Sequence, residues 1–261
     1  MSLTVSKNDH PAESTHWYTT DGLPAYEVMG KNGNMRPTTL RDARQMNLLP
    51  SVSTIIKCAA SPGLEQWKME QMLLAALTLP RLSGESEVDF LKRVRTDSRE
   101  TGRKAAERGT AIHAAVEGFY RGEGIKGYPD IIRAVENALT AKYGQHDWIA
   151  EKSFATKTYG GKVDLCSGAA VVDFKTKEFT SDKLPTGFEE NIMQLVAYRF
   201  GLNLPSARCA NVFISVNEPG LVHIVQWDED DLYRGWKMFL GLLDYWYAKT
   251  QLHLDISRIS E

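Results

Sequence analysis

The chain has 261 residues, of which 43% are hydrophobic and 25% charged, with a formal net charge of −2, so it can build a sizeable core and lacks the bias of a disordered chain. The small net charge excludes a globally basic nucleic-acid binder, and any affinity for a polyanion must come from a local basic face. Three cysteines, Cys58, Cys166 and Cys209, without C-x-x-C spacing, exclude a disulfide framework and a cysteine zinc site, and no run reaches the ~18 apolar residues of a membrane span.

Residues 1–15 are polar and aperiodic and are expected to form a loosely held tail. The lack of an apolar targeting stretch there leads to the expectation of a cytoplasmic protein with no membrane partner. At 16–28, Trp17, Tyr18, Tyr26 and Val28 flank an Asp21-Gly22 turn, which predicts a small hairpin. Pro50-Ser51-Val52-Ser53 then opens a helix over 54–58, with Ser51 or Ser53 as N-cap. Helical periodicity returns over 63–79, 86–108, 110–121 and 131–143. From Trp148 the period changes, predicting strands at 148–157, 160–166 and 170–176, a helix at 187–201 and strands at 208–216 and 221–227. The last element, 228–250, is an amphipathic helix with Leu232, Trp236, Phe239, Leu243 and Trp246 on one stripe.

The most informative stretch is 160–177, two apolar-rich strands around Ser167-Gly168-Ala169-Ala170. A Gly160-Gly161 turn precedes them. If Gly168 and Ala169 are the central residues of a type II′ turn, Asp164 falls opposite Asp173. Directly opposed residues have Cβ atoms about 4.5–5.5 Å apart, and like charges there repel, so the pair calls for a cation such as a divalent metal. Lys175, two residues beyond Asp173, points to the same face. Two carboxylates and an ammonium on one face suit phosphodiester hydrolysis.

Other residues extend this constellation. His113 and Glu117 are spaced i, i+4 on the preceding helix, and the imidazole is a candidate third ligand. Glu117 and Glu151 are candidates for completing the acidic cluster, although an exposed strand glutamate is the commoner meaning of Glu151. Gln194 and Tyr198 repeat the i, i+4 spacing on the following helix, where Gln194 could hold the lysine or orient water. His113 and Gln194 are expected to converge on one face of the hairpin. Lys92, Arg95, Arg99 and Arg103 form a basic stripe that Lys104 and Arg108 extend toward His113. With Asp89, Asp97, Glu100 and Glu107 interspersed, a solvated face and a track for phosphates weigh about equally. Trp67 is expected in the core rather than as a base-stacking platform.

Taken together, Gly109-Thr110-x-x-His113, Asp164, Asp173-x-Lys175 and Gln194-x-x-x-Tyr198 resemble the PD-(D/E)XK nuclease superfamily in its RecB-like branch. Upstream, residues 49–56 and Trp67-Lys68 are similar to the mitochondrial genome maintenance exonucleases and related phage exonucleases. The resemblance implies an α/β (α+β) fold, a PD-(D/E)XK nuclease core with a central mixed sheet flanked by helices and a helical N-terminal region. It implies Asp164, Asp173, His113 and the carbonyl of Phe174 as ligands of one or two Mg²⁺ or Mn²⁺ ions, with Lys175, Gln194 and Tyr198 completing the catalytic set. Relatives carrying an iron–sulfur cluster use four flanking cysteines, and three unsuitably spaced ones here exclude that group.

The expectation is therefore a metal-dependent exonuclease of DNA ends or single strands. Residues 1–108 would be a DNA-gripping extension with Arg95, Arg99, Arg103 and Arg108, and 109–261 the nuclease core, the two integrated as one domain. A single-strand-binding or recombination protein is the companion such an enzyme would have. The alternatives are an endonuclease of the same superfamily and a non-catalytic DNA-binding subunit.

Overall fold

A computed structural model describes residues 16–254; the expected tail at 1–15 lies outside them. The 16–28 hairpin is replaced by two small ribbons. Strand β1 (Trp17–Tyr18) pairs with β4 (Leu49–Pro50), and β2 (Glu27–Met29) with β3 (Met35–Pro37). The reason is burial: Trp17 is drawn into the core, with its ring edge-on to Trp246 at 5.9 Å between centroids.

Helix α1 (Leu40–Met46) was not anticipated, yet it carries a local signal. The Thr39 hydroxyl accepts from the Asp42 N–H while the Asp42 carboxylate accepts from the Thr39 N–H, a reciprocal N-terminal cap. Helix α2 spans Val52–Ile56, not 54–58, because Ser51 is its cap and accepts from the Thr54 N–H at 3.0 Å. Helix α3 covers Pro62–Thr78, and α4 runs unbroken from Glu87 to Tyr120, 34 residues, joining the periodic stretches at 86–108 and 110–121. Gly109 does not end the helix. A Cβ there would lie 2.7 Å from Thr176 Oγ1, so the glycine allows α4 to press against the sheet. The 108/109 division therefore falls inside a continuous helix.

Helix α5 (Pro129–Tyr143) leads into the main sheet: β5 (Ile149–Ala155), β6 (Gly160–Cys166), β7 (Ala170–Lys177), then α6 (Glu189–Gly201), β8 (Arg208–Ser215), β9 (Val222–Trp227) and α7 (Glu229–Thr250). The five strands lie in sequential order, antiparallel except for the parallel β7–β8 pair, which α6 connects. The fold is thus mixed α/β, a central mixed sheet flanked by helices.

Gly160 and Gly161 belong to β6 rather than to a turn. They pair with Ala155 and Phe154, and side chains there would collide with Tyr18, Phe154 and Tyr198. The turn after β6 has the expected length, with the Ser167 N–H donating to the Ala170 carbonyl. It is not type II′, because Gly168 lacks the positive φ that type demands. The Ser167 hydroxyl instead accepts from the N–H groups of Ala169 and Ala170, an arrangement that needs no left-handed residue.

Two cores cover the sheet. Val171 joins the cluster containing Ile55, Ile192, Leu195 and Phe239, whereas Val172 and Phe174 join Ile112, Val116, Ile132 and Leu139. The strand period of two therefore sets α2, α6 and α7 on one face and α4 and α5 on the other. Each fully buried side chain of this size contributes about 1.5–3 kcal/mol. Helix α3 packs on α4 instead, leaving Leu73 and Leu77 exposed at 63% and 82%. Trp67 is accordingly part-exposed against Gly102, not a core residue. No helix among the described residues is long and apolar enough to cross a membrane.

Candidate active site

The β6–β7 ladder holds Leu165 opposite Val172 and Cys166 opposite Val171. The hairpin argument puts Asp164 opposite Asp173, but the ladder stops one residue short of that pair. Beyond it, the Asp164 carboxylate accepts from the Phe174 N–H at 2.8 Å. On the other side, β5 continues past this point with Glu151 in the left-handed region at φ 53°, a conformation that costs a non-glycine residue of order 1 kcal/mol or more.

Into this opening α4 sends His113 and Glu117. One ligand atom from each of His113, Glu117 and Asp164 lies within 4.8 Å of the others. His113 Nδ1 stands 3.9 Å from Asp164 Oδ2, both side chains being about a quarter exposed or less (27% and 20%). Burial lowers the His113 pKa, favouring the neutral imidazole that can ligate. Burial, then repulsion from Glu151, pushes Glu117 up to about 7. Burial and the neighbouring Asp173 raise Asp164 well above the usual carboxylate range, against the opposing pull of Lys175. Two carboxyls forced toward neutrality beside a neutral imidazole form a donor set that a divalent cation would satisfy.

Asp173 is only 3% exposed and turns to different partners: Lys175 Nζ at 2.8 Å and Asn211 Nδ2 at 2.8 Å. Asn211 Oδ1 in turn accepts from the Trp227 indole at 2.8 Å. Because indole can only donate, that bond fixes the orientation of the amide. Asn211 was missed in the sequence. Its signal is a polar residue interrupting the apolar run 209–214, but its meaning depends on the parallel register that pairs it with Asp173.

Lys175 Nζ also donates to Gln194 Oε1 at 3.2 Å, and Gln194 Nε2 to the Tyr198 hydroxyl at 3.0 Å. Burial alone would lower the Lys175 pKa, but Asp173 and Asp164 outweigh it and raise it, so the side chain is an ammonium. Burial raises the Tyr198 phenol far above its normal range, leaving it neutral. His113 and Gln194 do not converge on one face as expected, because α4 and α6 pack on opposite faces.

Glu151 is neither free nor in the ligand group: it pairs with Lys162 and Arg121. Along the basic stripe, Arg103 is bound to Glu100 and Glu107 of its own helix, and Arg108 donates to the Val216 carbonyl. Arg95 and Arg99 are exposed and form no ion pair among the described residues.

No family model matches this chain, and no curated protein matches it in sequence. It is similar in structure to a putative exonuclease from Eubacterium rectale, with 12% identity, 56% of this chain and 68% of the other covered, and a TM-score of 0.37. It is also similar to the protein SSO0001, with 14% identity, 69% and 86% coverage and a TM-score of 0.30. At those scores neither likeness carries functional weight, and the chemistry rests on the geometry of the site itself.

Proposed function

We propose that this protein is a Mg²⁺- or Mn²⁺-dependent deoxyribonuclease acting as an exonuclease on DNA ends or single strands. The observation that carries the reading is the approach of His113, Glu117 and Asp164 to within 4.8 Å of one another at the strand opening that also holds Asp173 and Lys175. The motif resemblance to the RecB-like branch supports it independently. In this reading His113, Asp164, Asp173 and the Phe174 carbonyl hold one or two ions, and Glu117 joins them. When bound, such an ion polarises the scissile phosphate and lowers the pKa of its water.

The remaining residues act on charge and position. Lys175, an ammonium bonded to Asp173, stabilises negative charge developing on the phosphate rather than accepting a proton. Gln194 steers Lys175, and Tyr198 steers Gln194. Asn211 keeps Asp173 in place. Residues 1–108 are proposed as a DNA-gripping extension of the 109–261 core. Arg95 and Arg99, exposed and without an ion pair among the described residues, would meet phosphates first, and Arg103 and Arg108 contribute to the same positive edge.

End-labelled single- and double-stranded DNA, linear and circular, incubated with either ion, tests the proposal. The expected result is stepwise shortening of linear strands, abolished by a chelator, with circles resistant. Cleavage of circular single strands would favour an endonuclease, and lack of metal-dependent cleavage on every substrate would remove the nuclease reading.

A further inference from the structure

Beside the charged site lies an open groove of ≈ 960 Å³, lined predominantly by apolar surface and reaching from Lys175 and Gln194 to Phe188, Met193 and Leu242. That volume is at the upper end of the ~300–1,000 Å³ typical of small-molecule sites. Two glycines line it, Gly63 on α3 and Gly241 on α7. At each, a Cβ would meet nothing within 4 Å, and neither has positive φ. Gly241 therefore weakens the interior of a 22-residue helix without any packing or backbone need for glycine. What its absent side chain does is keep the groove open.

The groove's chemistry distinguishes among the parts of a nucleotide. Its acidic lining residues are Glu189, paired with Arg234, and Glu190, which accepts from the Ser61 hydroxyl at 2.7 Å. Carboxylates repel a phosphate but can accept from a base's N–H groups. Phe188 is 56% exposed, and Lys177 Nζ lies 5.2 Å from its ring centroid. Lys177 follows Asp173 and Lys175 at the strand period of two, so cations lead along one strand face from the candidate catalytic residues to an exposed aromatic ring. A cationic track ending at an exposed ring is the arrangement that binds single strands by stacking.

We propose that this groove takes an unstacked nucleobase from the nucleotide adjoining the scissile phosphate, with Phe188 as its stacking surface and Lys177 meeting the neighbouring phosphate. The inference rests on the nuclease reading and deepens it: a base inside a duplex cannot enter, so the strand must be unpaired where it is cut.

The test uses end-labelled single strands in which one nucleotide is replaced by an abasic analogue. Cleavage at the flanking phosphates is mapped in Mn²⁺ and compared with the unmodified strand. The wild-type protein should cut beside the abasic position at least about tenfold more slowly, the order expected for losing one stacked base. Phe188→Ala, which removes the ring, and Gly241→Phe, which puts a bulky side chain into the groove, should each bring that ratio close to one by slowing cleavage of the base-bearing strand. Phe188→Trp should keep the ratio. Equal wild-type rates on the two strands, or a wild-type ratio in either groove variant, would overturn the inference while the nuclease reading stands. No metal-dependent cleavage of any strand would overturn both.

Discussion

At the residue scale, function depends on which side chains are held by partners and which are left in need of one. Lys175 is fixed by Asp173 and Gln194, so Lys175→Ala removes a positioned charge and should lower kcat about 10²–10³-fold. Single-turnover cleavage checks this, and near-wild-type kcat would end the assignment. Glu117 is the residue whose role changed most from sequence to structure. Glu117→Gln should weaken Mn²⁺ binding about 10–100-fold in calorimetric titration, taking the range seen when groups around a metal are altered; an unchanged Kd would take Glu117 out of the ligand set. Asn211→Leu leaves the Asp173 carboxylate and the Trp227 indole without their shared partner. It should cost about 1–3 kcal/mol of stability, read from chemical denaturation, together with a fall in kcat.

At the scale of elements, α4 delivers His113 and Glu117, and Gly109 sets how closely it can approach β7. Gly109→Ala gains about 1 kcal/mol of helix propensity, yet its methyl group meets Thr176 Oγ1 at 2.7 Å. The expected result is lower activity with near-normal thermal stability, partly restored by adding Thr176→Ala, which removes the obstructing hydroxyl. Failure of the double variant to recover would mean that Gly109 acts otherwise. The outer part of α4 gives a separate prediction. Arg95→Glu with Arg99→Glu should weaken DNA binding and flatten its dependence on salt, whereas Arg103→Glu, already paired within its helix, should change the salt slope less. Equal effects would return the whole stripe to a solvated face.

For the whole molecule, the site should couple metal, pH and stability. Burial raises Glu117 from its ordinary 4.5 to about 7. For an acid raised on folding, the folded state binds the proton more tightly than the unfolded state. The resulting stabilisation is complete below the unfolded value and is lost as pH rises through about 7. The raised Asp164 acts in the same direction. A divalent ion takes the place of these protons, so its affinity rises over the same interval. The difference in Tm between Mn²⁺-loaded and chelator-treated protein should therefore widen from about pH 5 to about pH 8. A constant difference would show that these carboxyls do not bind the ion.

Periodicity and short-range chemistry made much of this protein legible. The five main strands, the closing amphipathic helix and the length of the β6–β7 turn follow from a side-chain period of two or 3.6 and short-range turn chemistry, which act within a few residues. The continuity of α4, the pairing of β1 with β4, the inclusion of Glu117 with His113 and Asp164, and the Asn211 anchor were decided only by tertiary structure. Each depends on strands and helices far apart in the chain coming within a few ångströms, and the parallel β7–β8 register that brings Asn211 to Asp173 leaves no local trace in either strand. The sequence by itself determined which groups are available for the proposed phosphodiester chemistry. Tertiary packing decided which of them are desolvated together, and desolvation is what makes the carboxyls of Glu117 and Asp164 call for a cation.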